Sequence, residues 1–451
     1  MSNTQILTRK FQIFPVGNKE EINRVYQYIR DCQYVQNKAY NIFISNVYSA
    51  IISGKSKEEI NLIYKKGGRK PKENNPDYSL YNYNDFKVPV GLTIIGALPQ
   101  TVKNDLKTAQ KAGLFKGNSA LPNKRRTASL NIQPVYVRLR DINLRNPKIT
   151  SKTGIYHTYS SYSDFLDNLY SKRELNIYLA FANNITFKFV LGNPYKSYQD
   201  RNILQHIFEE DYLIKGSSIS FDKTNKKIML NLSMEISKKE IELKEDVVVG
   251  VDVGLAIPAV CGLNTNSYAR EYIGSKNDFL RVRTQISNER KRVQKNLKMV
   301  KGGHGRKKKM KSLDRFTLKE KNFVQTYNHM VSKRVVDFAI KNHAKYINLE
   351  NLKGYDANIF ILRNWSYYQL QQYIKYKAEK YGIETRMIDP YHTSQICSCC
   401  GHWEEGQRIN QSTFICKNPE CKNFGVKINA DFNASRNIAL STNFISADSA
   451  E

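Results

Sequence analysis

The longest apolar stretch of the chain, residues 247–263, carries a single carboxylate, Asp252. A membrane-spanning helix of this length would be short, and a charge inside it would be costly. Two buried strands, 247–253 and 258–263, joined around Gly254, fit the pattern better. An acid within a buried strand is expensive unless it is paired or binds a metal ion. The stretch therefore predicts a core strand that delivers a functional carboxylate.

Helical and strand patterns alternate after this stretch. Residues 276–343 favour helix, and a short strand pattern follows at 346–349. A further helix is expected at 366–381 and a strand at 384–389. Strands that alternate with helices in this way indicate an α/β domain.

The first half of the chain has a different pattern. Apolar residues near a 3.6-residue period predict a long helix at 20–53, and a second helix is expected at 99–111. Between them, residues 65–89 are rich in Gly, Pro, Asn and Lys and favour a loop. Alternating apolar and polar residues predict strands of a sheet or barrel within the segments 131–140, 176–191 and 219–236.

Two further acids occur in similarly informative surroundings. Glu350 ends the strand-like segment YINLE, and Asp431 lies in NADFNASRNIA. With Asp252 they supply the oxygen ligands that Mg²⁺ prefers. A cluster of this kind can hold two Mg²⁺ about 3.5–4 Å apart for phosphodiester hydrolysis. Each acid alone is equally compatible with a structural ion pair, so the inference depends on all three.

Cysteine spacing predicts a metal site near the end of the chain. Five of the seven cysteines lie within 397–421, where Cys397 and Cys400 form a C-x₂-C pair and Cys416 and Cys421 a C-x₄-C pair. Four thiolates with this spacing fit one closed tetrahedral Zn²⁺ site. Such a site has no open coordination position, so the expected role is structural.

The choice of ligands within the first pair leaves alternatives. Gly401 directly after Cys400 suits the tight turn of a zinc knuckle, which favours Cys400 over Cys399. His402 is a further substitute. Buried or redox-active thiols are the competing interpretation.

The charge balance indicates a polyanionic partner. Lys and Arg number 71 against 41 acids, and the formal net charge is +30. Nucleic acid is the expected partner rather than membrane. MSNTQILTRK at the start has no apolar segment typical of a signal peptide, so a cytoplasmic location is expected. Candidate nucleic-acid contacts are Lys124, Arg125, Arg126, Arg306, Lys307 and Lys308, with a merely solvated basic surface as the alternative.

The second half of the chain, about 246–440, resembles the TnpB transposon nucleases and the related miniature type V-F CRISPR effectors. The shared motifs are D-x-G at Asp252, the strand-end Glu350, T-S-Q-x-C-x-x-C-G and N-A-D-x-N-A-x-x-N. GGHGR at 302–306, residues 364–383 and QRIN at 407–410 are more similar to the CRISPR effectors. The first half resembles them only in its order of elements and in its LPNKRR segment.

The resemblance implies an α/β multidomain fold. It consists of a ribonuclease-H-like RuvC nuclease domain with an inserted zinc ribbon, preceded by a wedge-type β-barrel with an inserted helical recognition region. The expected domains are the barrel at 1–18 and 119–245, the recognition region at 19–118, the RuvC domain at 246–395 and 425–440, the zinc ribbon for target nucleic-acid binding at 396–424, and a flexible tail at 441–451.

The resemblance also implies an activity and its residues. It assigns Asp252, Glu350 and Asp431 as catalytic acids that bind two Mg²⁺, and Arg408 as a residue that projects toward the scissile phosphate. The implied partners are a guide RNA and double- and single-stranded target DNA, with a homodimer on one guide left open. The expected activity is RNA-guided DNA cleavage, in which base pairing with the guide reads the sequence.

Three alternatives stay open at this point. One is a transposon-encoded TnpB nuclease that acts as a monomer. Another is a catalytically silent nucleic-acid-binding protein with the same fold, although such a protein has no need of a costly carboxylate cluster. A Holliday-junction resolvase fits the core but leaves the first half and the cysteine module without a role.

Overall fold

The computed structural model divides the chain into two compact units, Met1–Ser237 and Lys238–Glu451. Helices and strands occur in both units, so the predicted mixed α/β content is confirmed. The structure describes residues 4–67, 80–81, 92–133, 137–138, 162–179, 185–209, 211–222, 227–254, 256–299, 303–351, 367–390 and 393–445.

An eight-stranded antiparallel sheet organises the first unit. Its path is β2-β7-β8-β1-β5-β4-β3, and β6 pairs with β8 outside that path. Every second residue of the eighth strand is buried, which gives the sheet one apolar face. The strands are β1 (Thr4–Pro15), β2 (Leu130–Ile132), β3 (Val137–Arg138), β4 (Glu174–Leu179), β5 (Ile185–Val190), β6 (Leu213–Ile214), β7 (Ser217–Asp222) and β8 (Lys227–Ser237).

One long helix of this unit contributes to two separate cores. Val25, Ile29 and Cys32 pack with the sheet residues, whereas Val35 to Val47 pack in a second cluster with the third helix. The long helix begins at a capping box, in which Asn18 and Glu21 satisfy each other's backbone N–H groups. The helices are α1 (Lys19–Ile52), α2 (Lys57–Lys66), α3 (Leu98–Lys111), α4 (Tyr162–Ser171) and α5 (Tyr198–Phe208).

The second unit is built on a five-stranded sheet with the order β11-β10-β9-β12-β13. The last three strands of that order are parallel to one another, and the other pairs are antiparallel. A separate two-stranded hairpin, β14-β15, precedes the final helix. The strands are β9 (Lys244–Asp252), β10 (Ala259–Leu263), β11 (Arg270–Ile273), β12 (Ala344–Glu350), β13 (Glu384–Ile388), β14 (Thr413–Ile415) and β15 (Lys427–Asn429), and the helices are α6 (Lys276–Lys298), α7 (Gly303–Lys341), α8 (Tyr367–Glu379) and α9 (Ala430–Leu440).

Most predicted elements are present, with local differences. The strands predicted within 176–191 and 219–236 are present, in each case as an antiparallel pair. The short helices α4 and α5 have no counterpart in the sequence prediction. Of the segment 131–140, the structure describes 131–133 and 137–138. Of the predicted loop 65–89, residues 68–79 and 82–89 lie outside the described residues.

Backbone hydrogen bonds fix the chain near both predicted limits of the second unit. Lys239 donates its backbone N–H to Lys380, and Lys244 to His343, so the chain joins the second unit before the predicted limit at 246. The predicted tail from 441 begins as a bound segment: the Asp389 N–H donates to Asn443, and the Ile445 N–H to Met387. Residues 446–451 lie outside the described residues.

Candidate active site and metal centre

Two neighbouring parallel strands place Asp252 and Glu350 side by side. β9 ends at Asp252 and β12 at Glu350, and their register pairs Val251 with Leu349. Because side chains alternate along a strand, both carboxylates leave the same face of the sheet. The carboxyl ends of parallel strands are the usual location of a site in an open α/β sheet.

Helix α9 brings Asp431 to that face. The Asn429 side chain caps the helix by accepting a hydrogen bond from the Phe432 N–H at 2.9 Å, so Asp431 lies in the first turn. The helix packs on the sheet at Gly250, where an added Cβ would lie 2.0 Å from the Ser435 carbonyl oxygen and 2.3 Å from the Ala439 nitrogen. Only a residue without a side chain allows this approach.

Two further contacts fix the helix on the sheet. Buried Asn348, two residues before Glu350 on β12, donates from Nδ2 to the Ile438 carbonyl at 2.9 Å. On β10, a Cβ at Gly262 would lie 2.7 Å from the Ser435 hydroxyl. The sequence therefore sets the position of Asp431 through glycines and an amide on three adjacent strands.

The three carboxylates are electrostatically costly as they stand. Burial raises the pKa of Asp252 well above its ordinary value, and repulsion by Glu350 and Asp431 adds to the shift. Burial also raises the pKa of Glu350 and that of Asp431. Buried carboxylates that repel one another are a mark of functional sites, where a bound cation offsets the repulsion.

Arg408 supplies positive charge to this cluster. Its guanidinium opposes the upward pKa shift of all three carboxylates, although burial dominates in each case. The nearest contact joins Nη2 to Asp431 Oδ1 at 3.9 Å, and the same nitrogen donates to the Gln411 carbonyl at 3.2 Å. The arginine predicted to face the scissile phosphate therefore does lie beside the acids, without a close salt bridge to them.

Two residues that sequence reasoning missed contact Glu350. The Thr393 hydroxyl donates to Glu350 Oε1, and Gln371 of α8 donates from Nε2 to the Glu350 backbone carbonyl at 2.8 Å. Thr393 opens the T-S-Q-x-C-x-x-C-G motif, so the motif contained the signal. Because Thr393 is next to the cysteines in the sequence, its contact with Glu350, 43 positions earlier, could not be predicted.

Four cysteines form a second cluster, in which one ligand atom from each lies within 4.8 Å of the others. Cys397 and Cys421 Sγ atoms are 3.9 Å apart, and those of Cys400 and Cys416 are 3.7 Å apart. A tetrahedron with metal–sulfur bonds of about 2.3 Å has edges of about 3.8 Å. These four cysteines could hold one metal ion.

The first knuckle has the expected turn. The Gly401 N–H donates to the Cys397 carbonyl at 2.8 Å, and Gly401 has a φ of 72°, a left-handed conformation that favours glycine. Although burial acts to raise it, hydrogen bonds from the His402 backbone and from neighbouring thiols bring the pKa of Cys400 down to about 7. Cys399 and the His402 side chain are not in the group of four.

The chain is similar to known proteins. Residues 367–438 match the family described as Cas12f1-like, TNB domain. A protein of Sulfoacidibacillus thermotolerans named CRISPR-associated endodeoxyribonuclease Cas12f1 is 30% identical over 366 residues, which cover 80% of this chain and 80% of that protein. This chain belongs to the Cas12f1 family.

Another relative and a solved structure agree with this assignment. A Cas12f1 of Syntrophomonas palmitatica is 35% identical over 229 residues, 44% of this chain and 46% of that protein. The cryo-EM structure of a Cas12f1-sgRNA-target DNA complex matches with a TM-score of 0.66 and 18% identity, over 98% of this chain and 100% of that one. At 18% identity, this structural likeness shows a shared fold.

In this Cas12f1-family chain, the nucleic-acid contacts predicted for the first unit differ in their surroundings. Lys124 lies with Nζ 4.0 Å from the centroid of the Tyr40 ring, and burial lowers its pKa. Arg126 covers the Tyr34 ring at 4.7 Å but remains exposed, as does Arg125. The two arginines are therefore accessible to an anion, whereas Lys124 is largely committed to packing.

The other three predicted basic contacts belong to helix α7. Arg306, Lys307 and Lys308 fall in the first turns of α7, but their side chains lie outside the described part of the chain. Among the described residues, no helix is long and apolar enough to cross a membrane.

A histidine and two acids form another close group, in the first unit. His206 Nδ1 is 3.0 Å from Asp211 Oδ2 and 3.5 Å from Glu209 Oε2. Sequence reasoning did not select these residues. Each contact is one that an imidazole and a carboxylate make without a metal ion, and all three side chains are partly exposed, so ordinary side-chain contacts account for the group.

Proposed function

We propose that this protein is an RNA-guided DNA endonuclease that hydrolyses target DNA at Asp252, Glu350 and Asp431. Its family supports this, because the relatives are named CRISPR-associated endodeoxyribonucleases. The observation that carries the proposal is the convergence of three carboxylates at one sheet face, with burial and mutual repulsion raising the pKa of Asp252. A silent binding protein would bear this electrostatic cost without benefit.

The carboxylate cluster suits a pair of Mg²⁺ ions. Its ligands are all oxygens, the type that Mg²⁺ prefers. The ligand oxygens of the three carboxylates do not all lie within 4.8 Å of one another. This wider spacing suits two ions about 3.5–4 Å apart better than one ion. When bound, the ions would activate the attacking water and stabilise the leaving oxygen. Asp252, Glu350 and Asp431 would hold them and lose their mutual repulsion.

Arg408 is proposed to act on the phosphate. Because its closest carboxylate contact is 3.9 Å, the guanidinium is free to pair with an anion that enters beside Asp431. Its planar fork can make two parallel hydrogen bonds to phosphate oxygens, which a lysine cannot. It would therefore stabilise the charge that develops in the transition state.

The cysteine site is proposed to hold one Zn²⁺. The Sγ separations of 3.7 and 3.9 Å fit the edges of a tetrahedral thiolate site. All four positions are filled by protein, so the ion would stabilise the hairpin, whose Phe414 forms a bridge with Arg408, rather than take part in hydrolysis.

The two units are proposed to divide the work of recognition and cleavage. The first, Met1–Ser237, would supply the recognition region at 19–118 and the wedge-type barrel, which was predicted at 1–18 and 119–245. The second would be the ribonuclease-H-like RuvC domain at 246–395 and 425–440, with the zinc ribbon at 396–424. Its parallel β9-β12-β13 strands beside an antiparallel β10-β11 pair support that assignment.

The proposed partners are a guide RNA and target DNA. A net charge of +30 suits two nucleic-acid backbones, and exposed Arg125 and Arg126 are proposed contacts. We also propose that two copies share one guide, as the type V-F resemblance implies. The mass of the purified ribonucleoprotein tests this, and a mass with a single protein copy would contradict it.

Asp252→Ala is the test of the catalytic proposal. The change should abolish plasmid cleavage while guide and target binding persist, because the carboxylate would hold metal and contribute little to backbone contacts. Cleavage and gel-shift assays on one preparation measure both. Undiminished cutting would remove Asp252 from the active site.

Arg408→Ala tests the phosphate role. Loss of one preorganised donor should lower the single-turnover cleavage rate about hundredfold. Arg408→Lys should recover part of the rate, with target affinity little changed in either variant. A parental rate for Arg408→Ala, or a defect confined to binding, would exclude the role.

A further inference from the structure

The segment 393–398 lies between the Glu350 carboxylate, helix α9 and the cysteine site. At one end, the Thr393 hydroxyl donates to Glu350 Oε1. At the other end, Cys397 belongs to the group of four cysteines. Along its length, α9 holds the backbone of the segment through two asparagine side chains. One short segment thus contacts Glu350, the helix that carries Asp431 and the cysteine group.

The two asparagines are one helical turn apart on the helix that carries Asp431. Asn437 donates from Nδ2 to the carbonyls of Thr393 and Ile396, both at 2.7 Å. Fully buried Asn433 donates to the Ile396 carbonyl at 2.7 Å and accepts from the Ser398 N–H at 2.9 Å. These are the two asparagines of the D-x-N-A-x-x-N motif. Their Nδ2 groups donate to backbone carbonyls, so both side chains hold the segment against the helix.

The Thr393 hydroxyl has one proton and two nearby acceptors. It lies 3.2 Å from the Pro390 carbonyl as well as in contact with Glu350. A charged acceptor makes the stronger hydrogen bond, so the proton belongs to the Glu350 contact. The Pro390 turn retains a backbone hydrogen bond from the Thr393 N–H and does not depend on the hydroxyl.

This hydrogen bond orients Glu350. Oε1 accepts from Thr393, whereas Oε2 accepts no hydrogen bond from any residue that the structure describes. A half-buried carboxylate with one oxygen held in this way keeps the other directed at a fixed point. Without the hydroxyl, the side chain would rotate among rotamers and lose part of its affinity for a cation.

We propose that Thr393 is a positioning residue for Glu350 and that Asn433 and Asn437 fix Thr393 relative to Asp431. The proposal rests on the assignment of Glu350 and Asp431 as ligands of a divalent cation. In this proposal, the D-x-N-A-x-x-N and T-S-Q-x-C-x-x-C-G motifs form one hydrogen-bonded unit. This unit joins the cysteine knuckle to the carboxylates.

Thr393→Val and Thr393→Ser form a matched pair for the test. Valine keeps the shape of threonine without the hydroxyl, and serine keeps the hydroxyl. In the full-length protein, Mn²⁺ affinity measured by electron paramagnetic resonance should fall about tenfold or more in Thr393→Val, the usual scale for loss of a hydrogen bond to a metal ligand. Thr393→Ser should bind Mn²⁺ nearly as the parent does.

Asp252→Ala serves as the blank, because any Mn²⁺ held by copurified RNA appears equally in it. The Mg²⁺ concentration that gives half-maximal cleavage should rise in Thr393→Val, while the metal content of the cysteine site stays the same. If Thr393→Val is poorly folded, Thr393→Ala removes the same hydroxyl with no added bulk. Asn437→Ala should lower Mn²⁺ affinity in the same direction.

The outcomes separate this inference from the proposed function. Parental Mn²⁺ affinity in Thr393→Val, together with a loss of binding in Asp252→Ala, would overturn the positioning role alone. Continued cleavage by Asp252→Ala would instead overturn the carboxylate site itself. Equal defects in Thr393→Val and Thr393→Ser would also overturn the inference, because a hydroxyl-specific role predicts rescue by serine.

Discussion

The cysteine cluster and the carboxylate cluster lie in the same unit but are assembled in opposite ways. The four cysteines come from residues 397–421, and their Sγ atoms already have the separations of a tetrahedral site. Asp252, Glu350 and Asp431 come from two strands and a helix that are far apart in sequence. Burial and repulsion raise the pKa of Asp252, so this cluster is strained in the folded chain.

The cysteine site is local in the sequence, whereas the carboxylate site depends on the tertiary structure. Turns of a few residues set the cysteine geometry, which is why its spacing can be read in the sequence. The carboxylate geometry depends on strand register and on how closely α9 approaches the sheet. We therefore expect changes at the turns to affect metal content, and changes at the sheet–helix contact to affect catalysis.

The largest expected effect is the loss of the cysteine-bound metal. Cys400→Ser should release one metal ion per chain and unfold the hairpin region, since metal binding supplies on the order of 10 kcal/mol in isolated zinc fingers. Elemental analysis measures the content. Cys399→Ser is the matched control and should keep the metal, because Cys399 is outside the group of four. The reverse result would exchange the two ligands.

Gly250→Ala should have the next largest effect, on the other cluster alone. The new Cβ would meet backbone atoms of α9 at 2.0 and 2.3 Å, so the helix that carries Asp431 must shift. A displacement of about 1 Å can cost on the order of a hundredfold in rate. Single-turnover cleavage should fall by at least this factor while the metal content of the cysteine site is unchanged.

Gly262→Ala provides a control for this interpretation. Its Cβ would meet the Ser435 hydroxyl, a side-chain atom, at 2.7 Å. The double change Gly262→Ala, Ser435→Ala should therefore cleave faster than Gly262→Ala alone. No such rescue is expected for Gly250→Ala. Parental cleavage by Gly250→Ala would mean that the helix position does not control the site.

The smallest expected effect is a gain in stability. The folded state raises the pKa of Asp252, so without metal the protein loses stability as pH rises through that folded value. Asp252→Asn removes this cost. We expect it to raise the free energy of unfolding by about 1 kcal/mol above the folded pKa in EDTA, with the gain disappearing near pH 4.

Denaturant unfolding at several pH values measures this gain, and added Mg²⁺ should stabilise the parent more than the variant. A variant less stable than the parent at every pH would show that the Asp252 charge is already compensated by protein groups.

The sequence predicted the parts of the fold that have local signals. The apolar run that contains Asp252 indicated β9 and β10, and the 3.6-residue period indicated α1. The sequence also indicated three acids that the structure brings to one face of the sheet. Alternation, periodicity and turn residues are properties of neighbouring residues, so they can be read without knowledge of the fold.

The remainder depends on contacts between distant residues. Gly250 reads as a break in a valine run, and its function as a close contact with Ser435 and Ala439 emerges only when α9 is in place. Thr393 likewise appears as part of a cysteine motif until β12 brings Glu350 to it. No local pattern encodes either relation.

The segment 443–445 also protects the sheet from other chains. Phe444 forms an antiparallel bridge with Ile388, so this segment covers part of the outer edge of β13. Arg386 on the same strand lies 5.2 Å from the Phe444 ring. An uncovered edge strand is a template for intermolecular pairing and aggregation. A chain shortened before Asn443 should consequently be more prone to self-association, and a fusion placed after residue 445 should avoid that liability.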